Sequence, residues 1–149
     1  KELFNLFDKN YIKNIDQIIY KSINTKKKIV EEDEQDNNIR KVLNFGHTFG
    51  HALELNSKYN LLHGEAIANG MLIASRNEKY FVNLFNVLKM MKCPIVKNIN
   101  INSLINKIKN DKKANNNKVD FIQVKNIGKP TIINMKIVEL ERMAKEYDI

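Results

Sequence analysis

The chain has 149 residues, of which 43% are hydrophobic, and it carries a formal net charge of +8. This length suits one domain that can bury a sizeable core. The apolar content, together with only two Pro and five Gly, argues against a disordered or collagen-like chain. No apolar run approaches the roughly 18 residues that a membrane-spanning helix needs.

The positive charge comes almost entirely from lysine, which supplies 22 of the 25 basic residues, and Asn (23) and Ile (20) are also abundant. These three residue types share A/T-rich codons, and the lysines are scattered among acids. A nucleic-acid surface, the less favoured alternative, would cluster basic residues on one face with Arg and aromatic residues among them. We therefore expect neither a nucleic-acid nor a membrane partner. The single cysteine, Cys93, cannot form an internal disulfide, which favours a reducing compartment, and we expect a cytoplasmic protein.

Helical periodicity dominates the chain. It predicts six helices, at about residues 14–32, 40–55, 64–74, 78–92, 101–108 and 136–147. Residues 113–118 (KANNNK) are predicted to be a loop, and residues 119–125 and 131–134 flank the turn sequence NIGKP as a hairpin. The expected fold class is mainly α, a helical bundle with one small β-hairpin. The chain begins at Lys1 within a helical pattern, without an initiator Met, and we interpret it as a piece of a longer protein.

All three histidines, His47, His51 and His63, fall within 17 residues. On a single helix over residues 40–55, Arg40, Asn44, His47 and His51 are spaced 4, 3 and 4 residues and share one face. Neutral imidazole suits Zn²⁺ and similar ions, and a catalytic zinc usually takes three protein ligands. Spacing alone nominates His47 and His51 as a pair with His63 third, and leaves open a carboxylate from elsewhere in place of one of them.

Small residues indicate where helices approach one another. Gly46 and Gly50 each cost about 1 kcal/mol in a helix relative to Ala, so we expect another element to pack closely there. Ala66, Gly70 and Ala74 follow at i, i+4 and i+8 on the third helix, a spacing that lets a second helix come near.

Lys26 lies in the apolar stripe of the first helix, together with Ile19, Ile23 and Val30. An unpaired buried charge is expensive, so this amine must either reach solvent or meet an anion, and the residues alone leave both open. The DKK segment at residues 111–113 is another candidate for binding an anion, although two lysines in a loop are most often solvated.

The run from Lys26 through DEQD, RKVLNFGHTFGHALE and HGEAIANGM strongly resembles the C-terminal domain of the 3-dehydroquinate synthase family. The resemblance is dense from Lys26 to Met71 and patchier to Lys129, through NDKKANNNKVDFIQVKNIGK. It implies that residues 1–149 form a C-terminal helical domain that binds metal and substrate. It also implies an N-terminal NAD-binding domain outside this chain, with the active site between the two domains. The sequence has no Gly-rich dinucleotide loop of its own.

The resemblance implies an enzyme, a phosphate-eliminating carbon–oxygen lyase of the shikimate pathway. The implied substrate is 3-deoxy-D-arabino-heptulosonate 7-phosphate, and the products are 3-dehydroquinate and phosphate. The implied cofactors are NAD and a divalent metal, Zn²⁺ or Co²⁺. Family members are commonly dimers, so a homodimer is expected for the full-length protein. The isolated chain is expected to bind metal weakly and not to turn over.

Carried over by position, the resemblance assigns the metal to His47 and His63, with a Glu outside this chain as third ligand. It makes His51 a substrate-contacting acid/base group instead of a ligand, which differs from the pairing that spacing nominates. The implied catalytic residues are His51, Asp36 and Lys26. The implied substrate-binding residues are Lys26, Arg40, Asn44 and Lys112, with Lys113 as the alternative to Lys112.

Two positions depart from the family pattern. Asp36 stands where D-E-x-E ends in Glu and is one methylene shorter, and Asn69 replaces an apolar or small residue, where it either faces the cleft or is merely tolerated. Three functional classes stay open: the synthase domain, another sugar phosphate cyclase or metal-dependent polyol dehydrogenase domain, and a non-catalytic helical remnant.

Overall fold

The computed structural model describes residues 1–58, 60–111 and 117–147. Within these ranges the chain forms seven α-helices, two short 3₁₀ helices and one two-stranded sheet. The α-helices are α1 (Glu2–Asn5), α2 (Ile15–Glu32), α3 (His47–Asn56), α4 (His63–Ala74), α5 (Phe81–Met90), α6 (Ile101–Asp111) and α7 (Ile137–Lys145). The 3₁₀ helices are Tyr11–Asn14 and Ile39–Asn44, and the strands are β1 (Lys118–Asn126) and β2 (Lys129–Lys136). The expected mainly α class with one hairpin is confirmed.

The hydrophobic core surrounds α3, which packs against α4 and α6, while α6 also packs against α7. Phe49 of α3 is fully buried and meets Phe121 of β1 edge to face, with ring centroids 6.0 Å apart. The other large apolar side chains that are fully buried are Leu72, Ile73, Leu104, Ile108 and Leu140. Because α3 lies at the centre of this packing, the residues at its first turn have a fixed position.

The predicted hairpin is present, with β1 antiparallel to β2 and Phe121 opposite Ile133. Gly128 occupies its turn at a φ of +85°, a conformation that L side chains rarely adopt. The hairpin is joined to the second 3₁₀ helix by an ion pair between Lys41 Nζ and Asp120 Oδ2, 2.9 Å apart. The sheet therefore supports the segment that leads into α3.

The single helix predicted over residues 40–55 is wrong. Residues Ile39–Asn44 form a 3₁₀ helix, the chain becomes extended at Phe45, and α3 begins only at His47. Gly46, between the two helices, has a φ of +82°, and a Cβ there would lie 2.6 Å from Met71 Cγ. Glycine is therefore required here twice, by the close approach of α4 and by the left-handed conformation that separates the 3₁₀ helix from α3.

This break also overturns the expected four-residue face. Arg40 and Asn44 lie on the 3₁₀ helix, whereas His47 and His51 lie on α3. The two pairs therefore belong to different helices, and only the spacing of the two histidines remains helical.

Close packing of α3 against α4 is confirmed, and it depends on three glycines, Gly46, Gly50 and Gly70, which we call the glycine contact. A Cβ on Gly70 would overlap the carbonyl oxygen of Gly46 and lie 2.6 Å from the backbone nitrogen of Gly50. A Cβ on Gly50 would lie 2.8 Å from Cα of Ile67. The two helix backbones touch here, so no larger residue fits.

Helix α2 buries a different face from the one its apolar stripe predicts. Ile18 is 5% exposed, whereas Ile19 and Ile23 are 49% and 60% exposed. Lys26 is exposed as well, so its amine reaches solvent and the expected cost of burying it does not arise within this chain. We call the exposed residues Ile15, Ile19 and Ile23 the outer face of α2.

The turn after α2 is held by one carboxylate. Asp33 is buried and accepts hydrogen bonds from the backbone nitrogens of Asn37 (3.1 Å), Asn38 (2.8 Å) and Arg40 (3.0 Å). These donors, that of Arg40 foremost, lower the pKa of Asp33. The carboxylate thereby fixes the path from α2 to the second 3₁₀ helix.

The remaining elements follow the predicted pattern closely. Helix α5 lies inside the predicted residues 78–92, and α7 turns Ile137, Leu140 and Ala144 inward as expected. Lys112, Lys113 and most of the predicted loop at residues 113–118 lie outside the described residues. No helix in the described ranges combines the length and the apolarity that crossing a membrane requires.

Candidate metal and substrate site

The structure brings the three histidines together. His47 is the first residue of α3, His51 lies one turn later, and His63 is the first residue of α4. The ring centroids are 5.3 Å apart for His47 and His51, 5.9 Å for His47 and His63, and 5.8 Å for His51 and His63. One nitrogen from each ring lies within 4.8 Å of the others. We call these residues the histidine cluster.

Local structure explains why the cluster forms at this point. The glycine contact brings the backbones of α3 and α4 together, and the two helices begin with the two histidines. Glu65 fixes the start of α4, because its Oε2 accepts a hydrogen bond from the backbone nitrogen of Leu62 at 2.9 Å. Tight packing and a defined helix start together set the position of His63.

Hydrogen bonds select the tautomer of two of the rings. His47 Nδ1 lies 3.4 Å from the carbonyl oxygen of Phe45, and His63 Nδ1 lies 3.1 Å from Glu54 Oε2. A carbonyl or a carboxylate can only accept, so each Nδ1 donates and carries the proton. Nε2 of His47 and of His63 is then left with its lone pair, which is the form that binds a metal.

Electrostatics keep His47 neutral. Burial lowers the pKa of the His47 imidazole, and the neighbouring rings of His51 and His63 lower it further. The hydrogen bond to Phe45 opposes this shift of the pKa without reversing it. A neutral ring is required of a metal ligand, since a protonated nitrogen has no lone pair to give.

The donor set fits a divalent transition metal. Imidazole nitrogens are common ligands of Zn²⁺ and Co²⁺, and distances of about 2.0–2.1 Å from Zn²⁺ to nitrogen are typical. Three imidazoles that converge within 4.8 Å can supply two or three such ligands after side-chain adjustment. Among the residues that the structure describes, these three form the group of His, Cys, Asp or Glu side chains whose ligand atoms lie close enough together to share one metal ion.

Four of the other predicted site residues, Lys26, Asp36, Arg40 and Asn44, lie on the segments before α3. Lys26 is exposed on α2, and Asp36 is exposed in the following turn, at a φ of +56°. Arg40 Nη1 donates to the carbonyl oxygen of Glu34 at 2.7 Å, so the guanidinium is held against that turn. Asn44 is exposed at the end of the 3₁₀ helix. Lys112 lies outside the described residues, and the roles of all these residues in substrate binding stay predictions.

Sequence reasoning missed Glu54, the partner of His63. The signal was present, because Glu54 follows His47 by seven residues and His51 by three, which places all three on one face of α3. What the sequence lacked was the position of α4, which begins nine residues after Glu54 and brings His63 beside its carboxylate.

Asn69 does not face a cleft. It is fully buried in α4, where its amide donates to the carbonyl oxygens of Glu65 and Pro94 at 2.8 Å each, and its Oδ1 accepts from the backbone nitrogen of Val96 at 2.8 Å. These bonds satisfy a buried polar group and hold the segment after α5 against α4. Asn69 is a structural residue.

Comparison with known proteins identifies the family. Residues 1–114 match the family described as 3-dehydroquinate synthase C-terminal. The chain belongs to this family. The resemblance seen in the sequence motifs is thereby confirmed.

Several curated relatives carry the same name. The chain is 41% identical over 140 residues to 3-dehydroquinate synthase of Picrophilus torridus, covering 86% of this chain and 41% of the relative. It is also 39% identical to 3-dehydroquinate synthase of Dictyoglomus thermophilum, in an alignment that covers 99% of this chain and 46% of the relative. The chain thus spans less than half the length of these relatives.

Two solved structures share the fold. One is the 2-epi-5-epi-valiolone synthase ValA of Streptomyces hygroscopicus subsp. jinggangensis, with NAD⁺ and Zn²⁺ bound. Its TM-score is 0.78 at 16% identity, covering 95% of this chain and 45% of that one. The other is 2-deoxy-scyllo-inosose synthase, complexed with carbaglucose-6-phosphate, NAD⁺ and Co²⁺. Its TM-score is 0.71 at 21% identity, covering 90% of this chain and 41% of that one.

Proposed function

We propose that this chain is the metal- and substrate-binding domain of a 3-dehydroquinate synthase. The full-length enzyme would convert 3-deoxy-D-arabino-heptulosonate 7-phosphate to 3-dehydroquinate and phosphate in the shikimate pathway. The observation that carries the proposal is the convergence of His47, His51 and His63 at the start of α3 and α4, in a chain 41% identical to a protein of that name. An N-terminal NAD-binding domain, a homodimer and a cytoplasmic location belong to the same proposal.

His47 and His63 would hold the metal, together with a glutamate from outside this chain. Their shared tautomer supports this pairing, since both have an acceptor at Nδ1 and therefore a free Nε2. A bound Zn²⁺ or Co²⁺ lowers the pKa of a hydroxyl and polarises a carbonyl. NAD would be bound by the other domain and would supply the chemistry of hydride transfer.

His51 would exchange a proton with the substrate beside the metal ligands. Its ring lies 5.3 Å from that of His47 and 5.8 Å from that of His63, so it would be close to a substrate group held beside these two rings. Imidazole can both accept and donate a proton, which suits general acid/base work.

The anionic ends of the sugar phosphate would be bound by Lys26, Arg40 and Asn44, which precede α3, and by Lys112. The two lysines and Arg40 would supply cations, and Asn44 would supply an amide. Such groups stabilise phosphate, carboxylate and the charge that develops as phosphate leaves. Asp36 would orient the substrate or accept a proton, as a shorter replacement for the family's glutamate.

Another cyclase activity is the second candidate, because the two solved neighbours are synthases of other cyclic products. Their identities of 16% and 21% are far below the 41% shared with the Picrophilus torridus relative. The comparison therefore favours 3-dehydroquinate as the product.

A fusion tests the proposed reaction. The N-terminal part of the Picrophilus torridus relative, joined to this chain at the aligned position, should release phosphate and 3-dehydroquinate from the proposed substrate. The same fusion with His51→Ala should bind Co²⁺ as tightly and lose activity by about 100-fold or more. A fusion that folds and binds NAD and Co²⁺, yet forms no 3-dehydroquinate, would refute the proposal. Turnover of a different sugar phosphate by that fusion would instead support the second candidate.

A further inference from the structure

We propose that Glu54 is a positioning residue for the metal site, because its carboxylate fixes the tautomer and the orientation of His63. This inference rests on the proposed function, which assigns His63 to the metal. It concerns a residue outside the sequence-predicted site.

The contact is direct and links two helices. Glu54 Oε2 lies 3.1 Å from His63 Nδ1, with Glu54 on the second turn of α3 and His63 at the start of α4. The Glu54 side chain is only 20% exposed, whereas that of His63 is 58% exposed. A carboxylate held in the packed surface of α3 therefore anchors a ring that solvent would otherwise surround.

His63 needs such an anchor more than His47 does. The His47 ring is half-buried and its Nδ1 faces the backbone carbonyl of Phe45, two residues earlier on the same segment. His63 is exposed, and the acceptor at its Nδ1 is a side chain from another helix. Glu54 thus does for His63 what the backbone does for His47.

The chemical consequence concerns Nε2. A neutral histidine carries one proton on either nitrogen, and only the deprotonated nitrogen can bind a metal. A carboxylate at Nδ1 keeps the proton there and directs the lone pair of Nε2 toward the histidine cluster. The group of mutually close ligand atoms contains the three histidines but not Glu54, which is consistent with a supporting role.

The tautomer can be measured without metal. In long-range ¹H–¹⁵N spectra of the 149-residue chain above pH 7.5, His63 should carry its proton on Nδ1. Glu54→Ala should shift His63 toward the Nε2–H form that histidine prefers in water. Glu54→Gln keeps an acceptor oxygen and should restore the Nδ1–H form. Glu141→Ala is the matched control, because it removes a helical carboxylate and its ion pair with Lys145 on α7 but leaves His63 and its acceptor in place.

Metal affinity gives the second readout. Titration with Co²⁺, followed by its visible absorption, should show affinity about 10–100-fold lower in Glu54→Ala than in the wild type. Glu54→Gln should recover most of this loss, and Glu141→Ala should bind Co²⁺ as the wild type does.

The outcomes separate the two claims. An unchanged His63 tautomer and unchanged Co²⁺ affinity in Glu54→Ala would overturn the role of Glu54, provided that His63→Ala still abolishes Co²⁺ binding. Co²⁺ binding that survives His63→Ala would instead overturn the proposed metal site, and the positioning role of Glu54 with it.

Discussion

The glycine contact and the outer face of α2 both show helical spacing in the sequence, but the first is buried in the structure and the second is exposed. Gly46, Gly50 and Gly70 are buried between α3 and α4 at backbone contact. Ile19 and Ile23 are 49% and 60% exposed, although isoleucine is among the residues most often buried. The smaller residues form the tighter interface.

The difference teaches what each pattern specifies. Glycines at helical spacing cost stability unless a neighbouring backbone uses the space they leave, so they indicate a contact and its closeness. Apolar residues at helical spacing indicate only which face a helix tends to bury, and they do not identify the partner. The glycine pattern therefore predicted a contact within this chain more reliably than the isoleucine pattern did.

The two parts of the proposed site also differ in whether they stand on packed or on exposed segments. The histidine cluster stands on the packed helices α3 and α4, whereas Lys26 and Asp36 stand on exposed segments. We expect substitutions around the cluster to change stability and metal affinity together. Substitutions of the exposed residues should leave the fold unchanged.

Gly70→Val should have the largest effect. A Cβ at this position overlaps Gly46, so α3 and α4 must separate, and we expect a loss of about 3 kcal/mol in the free energy of unfolding. Urea denaturation measures the loss, and Co²⁺ titration should show weakened binding because His47 and His63 move apart. Wild-type stability in this variant would contradict the glycine contact.

Gly64→Ala is the matched control on the same helix. A Cβ on Gly64 meets nothing within 4 Å, so the substitution adds helix propensity without a clash. We expect stability to stay the same or to rise by about 0.5 kcal/mol. If this variant lost as much stability as Gly70→Val, α4 would be sensitive to any substitution. The loss in Gly70→Val could then not be assigned to the glycine contact.

Ile18→Ala and Ile19→Ala test the comparison on α2 with adjacent residues. Ile18 is 5% exposed, so its truncation should cost about 2 kcal/mol, whereas truncation of Ile19, at 49% exposure, should cost about 0.5 kcal/mol or less. Denaturation of both variants under the same conditions gives the difference. Equal losses would mean that the outer face of α2 is covered in solution.

Much of the fold and part of the site could be predicted from the sequence. The hairpin, α7 and the meeting of α3 with α4 follow from local patterns that the core then reinforces. The break at Phe45–Gly46 could not be predicted, because a single glycine is tolerated inside a helix, and neither the positive φ of Gly46 nor its contact with Met71 is visible in the sequence. Glu54 was missed for a related reason: its partner lies on a helix whose position depends on tertiary packing.

Asp33 makes the turn after α2 sensitive to acid. Its pKa is lowered in the folded chain, so its contribution to stability is present above the unfolded value of 3.8 and is lost as pH falls through the folded pKa. Asp33→Asn should therefore be less stable than the wild type at pH 7, and the difference should shrink below about pH 4. Unfolding followed from pH 7 to pH 2.5 measures it. A difference that stays constant over this range would mean that the charge of Asp33 does not hold the turn.

Lys26→Met should have the smallest effect on the fold. The side chain is exposed on α2 and is not part of the buried core, so the free energy of unfolding should change by about 0.5 kcal/mol or less. In the fusion with the Picrophilus torridus N-terminal part, the same substitution should weaken binding of the sugar phosphate, since a cation opposite an anionic group is lost. Lys27→Met is the matched control, because Lys27 lies beside Lys26 on α2 and pairs with Glu31 at 3.6 Å on the surface. If both variants weakened substrate binding equally, Lys26 would contribute only as one of many surface charges and would have no specific role. An effect confined to Lys26→Met would show that an exposed residue of this chain has a specific role in the site.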